Sequence, residues 1–265
     1  MRLHLYLPGL LALATSTTYA DDTSQLPLSD AYTCEEPPYK VHLISTSPLL
    51  LYITDFLTPS ERTHLQAATA GTFSASSVTG PSSRNSRIRT SRSTTVPPRD
   101  PVARCVSARA LSIQGFSHPR SHLEPLQLVE YGVGEHFHFH TDWFSSPAHT
   151  APAYGGNRLS SFFAYVKVEN GTTGGGTNFP MVEASAVDER WCELGYVDCD
   201  GEWDKGVTFR PVEGNAVFWR NLLEDGKGDD RTLHAGLPVT SGGKIGMNIW
   251  TRQGPVSEEI RGRDV

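Results

Sequence analysis

Short runs of alternating apolar and polar residues recur along the chain, and turn residues separate them. Leu126-Gln127-Leu128-Val129-Glu130-Tyr131 alternates as a strand. Leu159 to Val168, dense in aromatic and β-branched residues, predicts another. Val207 to Pro211 and Gly214 to Trp219 predict further strands around a turn, and Leu233 to Gly236 with Lys244 to Thr251 a closing pair. Gly174-Gly175-Gly176 predicts a turn, after which Thr177-Asn178-Phe179 resumes a strand.

Helical signals occur twice. Thr58-Pro59-Ser60-Glu61 combines an N-cap, a proline at the first helical position and the acid of a capping box, so a helix to about Ala68 is expected. Asp100-Pro101 opens a second, with Val102, Cys105, Val106, Ala110 and Ile113 near helical spacing before Gly115. Leu49 to Phe56 reads as a short strand or turn leading into the first helix. The expected fold is mainly β with flanking helices, a sandwich or barrel of short strands.

The segment Tyr131-Gly-Val-Gly-Glu-His-Phe-His-Phe-His-Thr-Asp-Trp-Phe144 carries the candidate chemistry. Read as a strand, it sends His136, His138, His140 and Asp142 to one face and Phe137, Phe139, Thr141 and Trp143 to the other. His140 and Asp142, at i and i+2, could converge on one ion. With a second imidazole they would make a two-histidine, one-carboxylate facial triad, which suits Fe(II) and leaves coordination positions open. A rival reading places zinc on His138, His140 and a third histidine. It leaves Asp142 without a role.

At 265 residues the chain is long enough for one sizeable domain, expected over residues 49–252 with a linker or arm at 21–48 and a tail at 253–265. The 24 Gly and 18 Pro favour a turn-rich protein over a helical bundle. A net charge of -6 argues against a nucleic-acid footprint.

Residues 1–20 read as a secretory signal: Arg2, an apolar stretch from Leu5 to Ala14, and Thr18-Tyr19-Ala20 before two aspartates. That stretch contains Pro8 and is short of the ~20 apolar residues a membrane span needs, so no stable span is expected. The secretory pathway, either the endoplasmic reticulum lumen or the exterior, permits disulfides among the four cysteines. Cys192 and Cys199 are close enough in sequence to pair, which leaves Cys34 and Cys105 either bonded or both free. Asn170-Gly171-Thr172 is an N-glycosylation acceptor triplet. Gly71 to Thr95, with Arg84, Arg87, Arg89 and Arg92, lacks a hydrophobic period and reads as a solvated loop, or as a lid beside the site.

His234, 94 residues beyond His140, stands in Leu233-His-Ala-Gly-Leu-Pro-Val239, with Lys244 ten residues further on. With Tyr131, Gly134, Phe137, His140 and Asp142, and with Gly174, Gly175, Thr177, Phe179 and Pro180, this resembles the catalytic domain of prolyl 4-hydroxylases, above all fungal secreted members. These belong to the Fe(II) and 2-oxoglutarate dependent dioxygenases. The resemblance implies a double-stranded β-helix, a jelly-roll with iron in its mouth. It implies His140, Asp142 and His234 as metal ligands and Lys244 as the partner of the distal 2-oxoglutarate carboxylate. Tyr131 and Thr177 would hydrogen-bond that cosubstrate, and Trp250 would line the site.

The implied reaction consumes O₂ and 2-oxoglutarate, gives succinate and CO₂, and hydroxylates proline in a peptide or protein acceptor, with ascorbate restoring the ferrous state. The same chemistry on a small metabolite or free amino acid, and a non-catalytic jelly-roll binding module, are the alternatives. Gly176 departs from the pattern, since many relatives carry Glu there.

Overall fold

The computed structural model describes residues 32–76, 88–115, 118–183, 189–200 and 205–262. In chain order the strands are β1 (Lys40–Thr46), β2 (Leu49–Thr54), β3 (Ser74–Ala75), β4 (Arg92–Thr95), β5 (Gln127–Tyr131), β6 (Phe137–His140) and β7 (Arg158–Val168). They continue with β8 (Thr173–Gly174), β9 (Thr177–Phe179), β10 (Val207–Phe209), β11 (Ala216–Arg220), β12 (His234–Gly236), β13 (Val239–Ser241) and β14 (Lys244–Arg252). The two principal helices are α1 (Pro59–Ala68) and α2 (Pro101–Ile113).

Eight strands pair in the order β1-β2-β11-β7-β14-β5-β4-β3, and four in the order β10-β9-β12-β6. All these pairings are antiparallel. The two sheets face each other across a lumen, as the jelly-roll expectation requires.

Alternation along the central strands sorts side chains into two cores. On β7, Phe162, Ala164 and Val166 join a cluster with Leu65 of α1 and Val102, Val106 and Ala110 of α2. Phe163 and Tyr165 of the same strand face the other way, into a second cluster with Phe179, Phe209, Val217 and Trp219. The helices therefore cover the outer face of the large sheet and leave its inner face to the site.

Both helix starts follow their sequence signals. Thr58 Oγ1 accepts from the Glu61 amide at 3.2 Å while Glu61 Oε2 accepts from the Thr58 amide at 2.8 Å, a complete capping box. Asp100 caps α2 by accepting from the Ala103 amide at 2.9 Å. Glu61 does a second job: both its oxygens accept from buried Arg109 of α2, at 2.7 and 2.9 Å. Arg109 also donates to the carbonyls of Phe56 and Glu35, so one guanidinium ties α1, α2 and the N-terminal arm together. Arg109→Ala leaves a carboxylate buried without its counter-charge, and chemical denaturation should show a loss of about 3 to 5 kcal/mol.

Four expectations change. The arm expected to reach residue 48 already contains β1, which pairs with β2 from Lys40 onward. The stretch expected as loop to Thr95 ends in β4, because Arg92 to Thr95 find partners on β5; Arg84 and Arg87 lie outside the described residues. Thr173 and Gly174, within the glycine turn and beside it, form β8 against β13. The metal segment is not one strand: β6 covers only Phe137–His140. A turn precedes it, with Gly134 at φ +81° and Glu135 Oε2 accepting from the Gly132 amide at 2.7 Å. The ladder with β12 also slips by one residue inside β6, His140 pairing with His234 and Phe137 with Gly236, so the strict two-residue alternation fails and His136 and His138 are not brought to the same place as His140.

Both disulfides form, Cys192 with Cys199 and Cys34 with Cys105. The signal reading falls on residues 1–20, outside the described set. Among the described residues no helix is long and apolar enough to cross a membrane.

Candidate metal centre

The two histidines meet because strand pairing makes them neighbours. In the antiparallel ladder between β6 and β12, His140 is the direct partner of His234, which closes a gap of 94 residues in sequence. Asp142 follows β6 by two residues, where the chain leaves the sheet and the carboxylate can turn back toward both rings. The three offer ligand atoms that all lie within 4.8 Å of one another, the only such group of histidine, cysteine or acidic residues among the described residues.

Hydrogen bonds decide which atoms are available. His140 Nδ1 lies 2.8 Å from the His138 carbonyl, and His234 Nδ1 lies 2.9 Å from the Thr232 carbonyl. A carbonyl can only accept, so both Nδ1 atoms carry a proton and Nε2 is the atom each ring has left to offer a metal. Asp142 Oδ2 accepts from the Ser161 hydroxyl at 2.7 Å and the Trp250 indole N–H at 2.9 Å. Its other oxygen, Oδ1, faces the two Nε2 atoms at 3.7 and 3.9 Å. The result is a pre-set N, N, O face.

Charge follows the same pattern. Burial, with His234 alongside, holds the His140 ring well below the usual imidazole range, so it stays neutral and able to donate a lone pair. Burial alone would raise the Asp142 carboxyl, but His234 and His140, Arg158 and the Ser161 hydroxyl outweigh it and keep it ionised. Two imidazoles and one carboxylate are the donor set expected for Fe(II), and the residues fit that metal.

A second layer holds Trp250 in place. The Arg158 guanidinium lies 3.6 Å from the Trp250 ring and is fixed by a bidentate pair with Glu124, 2.8 Å for each bond. Arg252 adds a 2.6 Å bond to the same carboxylate. Asn221 in turn donates to Ser161 Oγ at 2.8 Å. None of Ser161, Asn221, Glu124 and Arg158 carried a signal in the sequence, because each acts through another side chain rather than through a motif. Trp250→Phe, which removes only the indole donor, should weaken Fe(II) affinity by about 10- to 100-fold in a metal titration.

The cavity beside the triad is lined by Arg89, Tyr131, Phe137, Phe163, Thr177 and Trp219, with Trp250 also on its wall. Phe137 stacks on His140 at 3.6 Å between ring centres, and Arg89 lies over the Phe137 ring at 4.6 Å. Phe179 and Trp219 pack on His234 at 5.5 and 4.6 Å, screening it from water.

Lys244, from the start of β14, is 2% exposed. Its amine donates to the Gly175 carbonyl and sits 4.8 Å from the Tyr131 ring and 5.4 Å from that of Phe163, two of the cavity's walls. Thr177 shares a 2.8 Å hydrogen bond with the Tyr165 hydroxyl. Burial raises the Tyr131 phenol, which therefore stays protonated and able to donate. The structure gathers His140, Asp142 and His234 in one cluster, with Tyr131, Thr177 and Trp250 on the cavity wall and Lys244 directly behind it. His138, required by the zinc reading, is exposed and outside the cluster.

Comparison with known proteins agrees with this geometry. The sequence profile of the 2OG-Fe(II) oxygenase superfamily matches residues 126–252. Prolyl 4-hydroxylase 2 of Arabidopsis thaliana is 30% identical over 217 residues, covering 80% of this chain and 70% of the relative. Prolyl 4-hydroxylase subunit alpha-2 of Gallus gallus is 34% identical over 152 residues, 57% of this chain and 23% of that one. A viral collagen prolyl hydroxylase from Paramecium Bursaria Chlorella virus-1, solved with 2OG, shares the fold at a TM-score of 0.53 and 23% identity, covering 83% of this chain and 99% of that one. The chain belongs to the prolyl 4-hydroxylase family of the 2OG-Fe(II) oxygenase superfamily, and is a 2-oxoglutarate-dependent dioxygenase.

Proposed function

We propose that this enzyme hydroxylates proline residues of a peptide or protein acceptor, with His140, Asp142 and His234 as the iron ligands and Lys244 as the 2-oxoglutarate anchor. The observation that carries the reading is the division of labour on Asp142: one oxygen is held by Ser161 and Trp250, and the other faces the Nε2 atoms of both histidines. When bound, Fe(II) with 2-oxoglutarate and O₂ supplies an oxidant that places hydroxyl on a C–H bond, the acid leaving as succinate and CO₂.

The protein's own contribution is positional. The imidazoles of His140 and His234 and the carboxylate of Asp142 would hold the metal and leave it room for further ligands. Lys244 meets the distal carboxylate as a charge-assisted donor, with the Tyr131 and Thr177 hydroxyls alongside. Phe137, Phe179 and Trp219 keep water from the reacting centre. The relatives' names, prolyl 4-hydroxylase, supply proline as the acceptor residue.

Mass spectrometry of proline-rich peptides incubated with enzyme, Fe(II), ascorbate and 2-oxoglutarate should show a one-oxygen gain on proline that disappears without 2-oxoglutarate. Succinate release with no peptide gain across such a panel would instead favour a small-molecule acceptor.

We further propose that the chain enters the secretory pathway, that residues 1–20 are removed, and that Asn170 is glycosylated. Two disulfides support an oxidising compartment, and Asn170 is exposed in the turn after β7. The strand register sets that turn about seven residues, or roughly 23 Å, from the Ser161 level where the triad is held. A glycan there leaves the site clear.

A further inference from the structure

We infer that Phe163, seated in a notch created by Gly246, is the gauge that sets how wide a 2-oxo acid the channel between the iron ligands and Lys244 admits. The inference rests on the cosubstrate placement proposed above and adds two residues to it, a wall and the space that the wall needs.

The inward-facing residues of β7 mark out the channel in order. Ser161 donates to Asp142, Phe163 lines the cavity, and Tyr165 lies 5.8 Å from the Lys244 amine. Tyr165 lies four residues along the strand from Ser161, roughly 13 Å. An acid with one end at the metal and its far carboxylate at Lys244 therefore passes Phe163.

The ring reaches across to β14, whose inward positions are Lys244, Gly246, Asn248 and Trp250. Gly246 has no side chain there, and the Phe163 ring fills the space: a Cβ at position 246 would fall 2.1 Å from Phe163 Cζ and 2.7 Å from both Cε atoms. No other atom comes as near to that Cβ. Ordinary carbon contacts begin near 3.5 Å, so ring and methyl cannot coexist as placed. The ring is bounded by the second core, Tyr165 packing edge-on against it at 5.4 Å, and the cavity is the side on which it has room. A methyl at 246 thus moves Phe163 into the path of the cosubstrate. A smaller residue at 163 widens that path.

The test uses full-length protein loaded with Mn(II), titrated calorimetrically with 2-oxoglutarate and with the wider, branched 4-methyl-2-oxoglutarate. Gly246→Ala should raise the Kd for 2-oxoglutarate by about tenfold or more, as overpacking by one methyl implies. Mn(II) affinity should stay within about twofold, because the ligands lie on other strands. Adding Phe163→Leu to Gly246→Ala should restore 2-oxoglutarate binding, a rescue that general damage to the sheet would not give. Phe163→Ala alone should narrow the preference for 2-oxoglutarate over 4-methyl-2-oxoglutarate.

If Gly246→Ala fails to fold, the double variant and Phe163→Ala carry the test. An unchanged Kd in Gly246→Ala, no rescue in the double variant, or an unaltered preference in Phe163→Ala each overturns the inference. Wild-type protein that binds Mn(II) and not 2-oxoglutarate would overturn instead the placement on which it rests.

Discussion

Asp142→Ala removes the one anionic donor from the proposed iron site, and the purified variant should retain no stoichiometric iron and release no succinate above background. The loss is larger than one missing bond. Ser161 and Trp250 aim their donors at Asp142 Oδ2, so the substitution also strands two buried hydrogen-bond donors, at about 1 to 3 kcal/mol each. Asp142→Asn tests the charge separately, since it keeps the shape and an oxygen acceptor. It should hold iron far more weakly than wild type, as measured by metal titration, and its thermal stability should fall less than that of the alanine variant. His140→Ala and His234→Ala should match Asp142→Ala in activity. A variant with full turnover would remove that residue from the triad.

The second large effect is expected at Lys244. Lys244→Ala leaves the metal face intact, so iron retention should persist while the 2-oxoglutarate concentration needed for half-maximal turnover climbs by about two orders of magnitude or more, as loss of a buried charge partner predicts. An unchanged requirement would count against the anchor.

The same residue gives a pH dependence with a definite sign. Burial pushes the Lys244 amine down to about 7, so in the ligand-free protein it is neutral above that pH. The dianionic cosubstrate requires the ammonium, so binding above pH 7 takes up a proton and affinity should weaken as pH rises, by up to tenfold per unit. For folding the linkage runs the other way: a depressed lysine favours the folded state increasingly as pH climbs from 7 toward the unfolded value near 10.4. Titrations in buffers of different ionisation enthalpy would show the proton uptake directly.

Much of this was legible in the sequence, for reasons that differ by residue. The starts of α1 and α2 follow from Thr58, Pro59, Glu61, Asp100 and Pro101, because capping is chemistry between near neighbours. The run of aromatic and β-branched residues in β7 announces a strand, and the structure buries both its faces. His140, Asp142 and His234 were singled out by spacing and by the family resemblance, and the structure brings the three together. What alternation misjudged was their route to one point: His140 and His234 meet as ladder partners, and Asp142 arrives from beyond the strand end. Period-two reasoning cannot foresee a strand that stops.

The supporting layer was not legible at all. Arg158 sits at the start of β7 like any strand-end arginine, and only the fold sets it on Trp250 with Glu124 beneath. Gly246 likewise reads as a weak point in a strand; its purpose appears only when Phe163 is seen lying over it.

The bond between Cys34 and Cys105 spans 71 positions and fastens the arm that carries Glu35 to α2, beside the Arg109 pair. On chain-entropy grounds it contributes about 4 kcal/mol to the folded state, against about 2.5 kcal/mol for the short loop between Cys192 and Cys199. Protein produced in a reducing cytoplasm would lack both, and a stretch of backbone that Arg109 otherwise secures would be left to proteases. Choice of expression host thus becomes part of the biochemistry: low yield or nicking near residue 34 from such a host would report a missing cross-link rather than a faulty enzyme.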